Sequence, residues 1–168
     1  YDMRRYLDEL SEADRMRSRR SDTSFDNDLT EEFTYAHRCS LRAVNFIEEY
    51  KNEDFFLTVS YDEPHGPYIC PPPYNTMYED FCFDDNPNYE DDLSQKPLMQ
   101  RLWAGDAINK TKEEINRPSK KLSLFLGCNS FVDYEIGKVL DKIRNSVPNA
   151  MVIYTSDHGD MLGNHRIY

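Results

Sequence analysis

Residues 150–160 read Ala-Met-Val-Ile-Tyr-Thr-Ser-Asp-His-Gly-Asp, an apolar and β-branched run that leads directly into an acid and a histidine. Such a run predicts a buried strand, with Asp157 and His158 at its C-terminal end. In open α/β sheets, binding and catalytic residues lie at the C-terminal ends of the strands. An oxygen ligand beside a nitrogen ligand suits a divalent cation, so this stretch predicts part of a metal-dependent site.

The segments that precede this stretch predict the fold class. Residues 54–61 form a second, nearly continuous apolar run, which is typical of a parallel strand covered on both faces. Apolar residues recur at helical spacing over residues 28–50 and 122–145, which predicts two amphipathic helices. Helices that alternate with buried strands favour an α/β fold, with a mostly parallel sheet flanked by helices.

Each predicted helix carries an apolar stripe for packing. Thr30 is the expected N-cap of the first helix, and Glu31 and Glu32 then fall in its first turn, where acids favour the helix dipole. The stripe of the first helix consists of Phe33, Ala36, Ser40, Ala43, Val44 and Ile47. The stripe of the second consists of Leu124, Cys128, Phe131, Val132, Ile136, Val139, Leu140 and Ile143.

Composition and charge exclude several classes of function. The 168 residues include 31 acids and 20 bases, a net charge of −11, which argues against nucleic acid as a partner. No apolar run approaches the roughly 18 residues of a membrane span, so no membrane partner is expected. The four cysteines lack C-x-x-C spacing and are expected to be reduced, which favours a cytoplasmic location.

His65 follows the strand predicted over residues 54–61, inside the run Asp-Glu-Pro-His-Gly-Pro. The two prolines are expected to turn the chain out of the sheet, which leaves His65 at a strand's C-terminal end. Two interpretations stay open for this side chain: a role in the site, or a hydrogen bond to a backbone carbonyl. Asp157 and His158 likewise either bind a metal or serve as a cap and a loop hydrogen bond.

The sequence between residues 66 and 121 is rich in proline, tyrosine and acidic residues. We expect a long loop there, of the kind that shapes access to a site. The two remaining histidines have no role that this chemistry requires. His37 is expected to be structural or solvent-facing, and His165 lies close to the predicted site in sequence.

Three blocks of the chain, in their order and spacing, resemble successive blocks of the type I sulfatases of the alkaline phosphatase superfamily. They read Phe-Phe-Leu-Thr-Val-Ser-Tyr-Asp-Glu-Pro-His-Gly-Pro at 55–67, Phe-Val-Asp-Tyr-Glu-Ile-Gly-Lys-Val-Leu at 131–140 and Val-Ile-Tyr-Thr-Ser-Asp-His-Gly-Asp-Met-Leu-Gly-Asn-His at 152–165. The resemblance implies a partial alkaline-phosphatase-like α/β/α domain. Residues 1–168 are then expected to be part of a single sulfatase-type catalytic domain, truncated at both ends.

The resemblance also implies a chemistry. Asp157 and His158 correspond to ligands of a divalent cation, usually Ca²⁺ with Mn²⁺ or Mg²⁺ as alternatives, and His65 corresponds to a catalytic contact to the sulfate group. The nucleophile of the family is a formylglycine made from Cys or Ser in a C/S-x-P-x-R motif, which is expected upstream of this fragment. The implied substrate is a small-molecule or carbohydrate sulfate ester, and the fragment alone is expected to be inactive.

Two other functions stay open at this point. A phosphonate monoester or phosphodiester hydrolase of the same superfamily shares the Asp-His-Gly pattern. A noncatalytic binding domain would keep the fold without the nucleophile.

Overall fold

A computed structural model describes residues 29–82, 88, 91–105, 109, 111, 114 and 119–167. Within these ranges the α-helices are α1 (Tyr35–Tyr50), α2 (Leu98–Ala104) and α3 (Lys120–Ser146), and 3₁₀ turns span Glu31–Phe33 and Asn164–Arg166. None of the helices in this part of the chain combines the length and the apolar character needed to cross a membrane.

The start of α1 differs from the predicted one. The backbone of Thr34 is extended and separates the Glu31–Phe33 turn from α1. The Thr34 hydroxyl caps α1 by accepting a hydrogen bond from the His37 N–H at 3.2 Å. The prediction that Thr30 caps this helix was therefore wrong, since its side chain makes no cap bond. The physical reason is a tertiary contact. The Glu63 carboxylate accepts a hydrogen bond from the Ala36 N–H at 3.0 Å, which satisfies a second backbone donor at the start of α1, a helix shorter than the predicted one.

The apolar stripes of the two long helices form most of the core, as predicted. The helix predicted over residues 122–145 is α3, and the Ser119 hydroxyl caps it by accepting from the Leu122 N–H at 3.1 Å. One cluster joins Ala36 of α1 to the middle of α3, and a second joins Ala43 and Ile47 of α1 to its C-terminal half. The buried members of the α3 stripe are Leu124, Cys128, Phe131, Val132 and Val139.

Residues 54–61 form neither helix nor turn, and their exposure alternates with a period of two. Phe55, Leu57 and Val59 pack against the second core cluster, whereas Phe56 is 93% exposed. One face of the segment therefore lies on the helices and the other is open, where the sequence predicted cover on both faces. Strand pairing of this segment stays a prediction, because the described residues supply no neighbouring strand.

Residues 150–155 also form neither helix nor turn, and they are exposed along their whole length. Met151 is 89% exposed and Ile153 is 81% exposed, which differs from the predicted burial. The physical reason is that a strand obtains its hydrogen bonds and its cover from neighbouring strands, and none lies beside it in the described part of the chain. Tyr154 lines a shallow hollow of about 320 Å³ together with Asn129 and Asp133 of α3.

The segment predicted as a long loop contains turns over residues 71–80 and the short helix α2. The first part of this segment packs on α3 through Cys70 and Tyr74, which contribute to the first core cluster. The approach is close at Gly127 of α3, where a Cβ atom would overlap the carbonyl oxygen of Tyr74. All four cysteines are free thiols in the structure.

Candidate functional site

The loop that follows residues 150–155 is folded by its own polar groups. The Ser156 hydroxyl donates to the carbonyl of His158 at 2.7 Å, and the His158 N–H donates to Asp157 Oδ1 at 2.9 Å. The Asp157 side chain thus caps a backbone donor with one oxygen and keeps the other, Oδ2, for a further contact. This arrangement is local, since every partner lies within two residues.

The imidazole of His158 is oriented by a backbone carbonyl. Its Nδ1 lies 2.8 Å from the Gly159 oxygen, and a proton on Nδ1 leaves the lone pair on Nε2 in the neutral ring. Nε2 lies 3.6 Å from Asp157 Oδ2, and both side chains are well exposed to solvent. The Gly159 carbonyl, and then the charge of Asp157, raise the pKa of His158.

The separation of these two atoms suits a pair of ligands on one cation. Two ligands at right angles around an ion with bonds of about 2.3–2.6 Å lie roughly 3.3–3.7 Å apart. A ligating histidine also commonly donates its other ring N–H to a carbonyl, as His158 does here. The structure places Asp157 Oδ2 beside His158 Nε2, and the role of these residues as metal ligands stays a prediction.

His65 lies in an exposed turn whose backbone is tied to α1. Its N–H donates to the Asp62 carbonyl, and its Nδ1 lies 2.9 Å from the Gly66 oxygen. The backbone hydrogen bond considered above therefore exists, and it occupies only one of the two ring nitrogens. Glu63 anchors this turn through its bond to the Ala36 N–H, and burial raises the pKa of the Glu63 carboxyl.

A second buried contact fixes the approach to the same turn. The Ser40 hydroxyl of α1 donates to the Glu135 carbonyl of α3 at 3.0 Å and lies 2.9 Å from the Tyr61 hydroxyl. Tyr61 lies at the end of residues 54–61, the segment that leads to His65. The position of this turn therefore depends on how α1 packs on α3.

Tyr68 lies three residues after His65, in the chain that leads away from this turn. Burial, and then the charge of Asp160, raise the pKa of Tyr68. The hydrogen bonds of the three predicted site residues stay within their own loops, so these bonds do not join His65 to Asp157 and His158. Tyr68 has a positive φ of 61°, an uncommon conformation for a non-glycine residue.

Sequence reasoning missed the contacts that anchor the chain after the Asp-His loop. His165 Nδ1 lies 2.7 Å from Asp91 Oδ2, and Asn88 donates to Asn164 Oδ1 at 3.2 Å. The Leu93 N–H, and then His165, lower the pKa of Asp91. Because the Asp91–His165 pair is separated by 74 positions, no local pattern could have indicated it.

Sequence reasoning also missed a charged cluster between α1 and α3. His37, which the sequence placed as structural or solvent-facing, lies with Nδ1 3.0 Å from Oε1 of the fully buried Glu135. Glu135 sits beside the apolar stripe of α3, where the helical pattern gives no reason to expect a carboxylate.

Comparison with known proteins identifies relatives along the whole chain. A family model described as Sulfatase matches residues 2–168. The chain is 38% identical to "Uncharacterized sulfatase YidJ" of Escherichia coli K12 over 99% of its own length and 34% of that relative. It is 33% identical to a sulfatase of Formosa agariphila over 73% of its length and 26% of the relative.

An arylsulfatase of Clostridium perfringens is 32% identical over 68% of the chain and 24% of the relative. The chain therefore spans about a third or less of the length of these curated relatives. No solved structure matches the chain.

Proposed function

The chain belongs to the sulfatase family, and we propose that the intact protein hydrolyses sulfate esters with a divalent cation held in part by Asp157 and His158. The observation that carries this proposal is the 3.6 Å separation of Asp157 Oδ2 from His158 Nε2, directly after the apolar segment at residues 150–155. The substrate class that we propose is a small-molecule or carbohydrate sulfate ester.

The donor set fits a divalent cation, with one carboxylate oxygen and one imidazole nitrogen that are both accessible to solvent. When bound, such an ion stabilises negative charge on the transferring group and favours the ionised form of the nucleophile. The carboxylate oxygen suits Ca²⁺, Mg²⁺ and Mn²⁺ alike. We propose Ca²⁺, with Mn²⁺ and Mg²⁺ as the alternatives that metal analysis distinguishes.

The loop prepares these two donors before any ligand arrives. The Gly159 carbonyl holds the His158 ring, and the His158 N–H holds one oxygen of Asp157. Groups that are oriented in advance lose less freedom when they bind a charged ligand. This orientation is the contribution of residues 156–160 to the proposed site.

His65 is proposed to contact the oxygens of the sulfate group. Its Nδ1 is held by the Gly66 carbonyl, so Nε2 is the nitrogen left to meet a substrate. An imidazolium donates from both nitrogens at once, which allows the ring to keep its backbone bond while it binds an anion. We propose that the nucleophile, a formylglycine, lies elsewhere in the intact protein, since the 168 residues contain no C/S-x-P-x-R motif.

We also propose that residues 54–61 and 150–155 are strands of a mostly parallel sheet in the intact protein, flanked by α1 and α3. The alternating exposure of the first segment supports this, because it leaves one face, which includes Phe56, open opposite the helices. Both segments end where the proposed site residues begin, which is the arrangement expected at the C-terminal edge of such a sheet.

The test is an assay of the intact protein on aryl sulfate, phosphate and phosphonate esters with the same leaving group, together with its metal content. His158→Ala is expected to lower metal content and turnover together. His65→Ala is expected to lower turnover by about 10²–10³-fold with the metal retained, because one hydrogen-bond donor to developing charge is lost. Asp141→Asn is the matched control, since Asp141 is an exposed acid of α3 that pairs with Arg144.

Three outcomes would contradict the proposal at different points. Unchanged metal content and rate in His158→Ala would refute the ligand assignment. A preference for phosphate or phosphonate esters would favour the related hydrolases over a sulfatase, and no turnover of any ester would favour a noncatalytic domain.

A further inference from the structure

Three potential metal ligands meet where the Glu31–Phe33 turn and α1 pack on α3. His37 Nδ1 lies 3.0 Å from Glu135 Oε1 and 3.4 Å from Glu31 Oε2. All three ligand atoms lie within 4.8 Å of one another. This cluster is separate in sequence from the loop at Asp157 and His158.

The Glu135 carboxylate of this cluster is buried and incompletely paired among the described residues. Its side chain is fully buried, and its Oε2 atom has no hydrogen-bond partner among the described residues. A buried carboxylate oxygen without a partner is costly, because it has lost water and gained nothing in return. The carboxylate therefore has capacity for one more ligand.

Lys138 is the cation that occupies this cluster in the structure. Its Nζ lies 2.7 Å from Glu135 Oε1 and 3.0 Å from Glu31 Oε2. One ammonium neutralises only one of the two carboxylates, so the cluster keeps a net negative charge when His37 is neutral. The Lys138 side chain is about a third exposed and long enough to move out toward solvent.

The spacing of the donors matches a small transition metal. Two ligands of a tetrahedral zinc lie about 3.3 Å apart when their bonds to the metal are about 2.0–2.1 Å long. The two distances from His37 Nδ1 lie on either side of this value. One imidazole nitrogen with two carboxylate oxygens is a donor set that zinc accepts, with water as the fourth ligand.

An ion also has a path to the cluster. An open groove of about 370 Å³ runs between α1 and α3, and His37, Glu135 and Lys138 contribute to its lining. The groove admits water, which is needed to complete the coordination of the metal.

We propose that Glu31, His37 and Glu135 form a zinc site, in which Zn²⁺ replaces the ammonium of Lys138 and ties α1 to α3. Binding requires the lone pair of His37 on Nδ1, so the ring binds as the neutral tautomer with its proton on Nε2, and the proton that Nδ1 shares with a carboxylate in the metal-free state passes to solvent water, from which Nε2 takes its own proton. The ion takes the place of Lys138 between the two carboxylates and leaves the cluster with a compensated charge. The site is structural, because it joins two helices that position the turn of His65.

The experiment is a Zn²⁺ titration of the intact protein by calorimetry, with Co²⁺ absorption in the visible range as a report on tetrahedral coordination. All variants carry Asp157→Ala and His158→Ala, so that a failure of the proposed catalytic metal site does not affect the result. In this background the site is expected to retain Zn²⁺. His37→Ala and Glu135→Gln are each expected to weaken binding by more than about 100-fold, since even the outer partners of metal ligands contribute about 10–100-fold.

Lys138→Met is expected to tighten Zn²⁺ binding by about tenfold or more, because it removes a positive charge that competes for the same oxygens. Lys138 is partly exposed, so this variant is expected to fold, and it keeps the test valid if Glu135→Gln folds poorly. Glu48→Gln is the matched control, since Glu48 of α1 also binds a lysine of α3, Lys142, at an exposed position. Its affinity for Zn²⁺ is expected to stay unchanged.

Two results would overturn the proposal. One is Zn²⁺ affinity that is the same in the background protein, His37→Ala and Glu135→Gln. The other is the absence of Zn²⁺ binding in both the background protein and Lys138→Met.

Discussion

The substitution Gly127→Ala adds one methyl group to α3 and tests how closely the chain after His65 packs on this helix. A Cβ atom at this position would overlap the carbonyl oxygen of Tyr74 and lie 3.0 Å from its carbonyl carbon, with Cys70 Sγ at 3.3 Å. The obstacle is backbone, so no side-chain rotation relieves it. The turn that holds this carbonyl is closed by the Tyr74 N–H, which donates to the Pro71 oxygen at 2.9 Å.

The magnitude follows from two opposing effects of Gly127→Ala. Alanine favours a helix interior over glycine by about 1 kcal/mol. Overpacking a filled core costs about 1–3 kcal/mol, and the upper end applies where backbone must shift. We therefore expect a net loss of about 2 kcal/mol in the free energy of unfolding.

Gly137→Ala is the matched control on the same helix. A Cβ atom at Gly137 meets nothing within 4 Å among the described residues, so only the helix preference acts. This variant is expected to gain about 0.5–1 kcal/mol. The two substitutions are identical in chemistry and opposite in predicted sign.

The assay is urea unfolding of the intact protein and both variants, followed by the helical circular dichroism signal. The midpoint is expected to fall for Gly127→Ala and to rise for Gly137→Ala, with similar slopes. If Gly127→Ala were as stable as Gly137→Ala, the close packing of Tyr74 on α3 would be refuted.

Three further predictions concern the contacts that hold the site loops. Ser119→Ala removes the cap of the Leu122 N–H and is expected to lower the unfolding free energy by about 1 kcal/mol, measured by urea unfolding. Because burial raises the pKa of Glu63, its contribution to stability is full below about pH 4.5 and is lost as the pH rises through the raised pKa. Glu63→Gln should flatten that part of the pH profile of the urea midpoint, and an unchanged profile would contradict the burial. His165→Ala breaks the bond to Asp91, so amide hydrogen exchange should become faster over residues 161–167 and stay constant in α1. Equal protection of residues 161–167 in the variant and in the unsubstituted protein would argue against this contact.

Local patterns were sufficient for the two long helices and for the Asp-His pair. The stripe of α3 repeats every three to four residues, and helix geometry alone brings such residues to one face. Asp157 and His158 are neighbours in sequence, and their mutual geometry depends on bonds to residues 156–159.

Contacts between distant residues decided what the patterns missed. Thr30 and Thr34 are equally good caps by residue type, and the bond of Glu63 to the start of α1 favours the second. Lys138 is a partner of Glu135 one turn further along α3, but the burial of this acid depends on α1, whose His37 lies 98 positions away.

By itself, the sequence determined the family, the helices α1 and α3, and the residues that carry the proposed chemistry. Each of these is recognisable from a short motif or a regular spacing of residues. Only the tertiary structure decided where α1 begins, that Glu63 and Ser40 hold the approach to His65, and that Asp91 pairs with His165. These contacts join residues far apart in the chain, and their partners are chosen by the packing of whole elements, which no local propensity encodes.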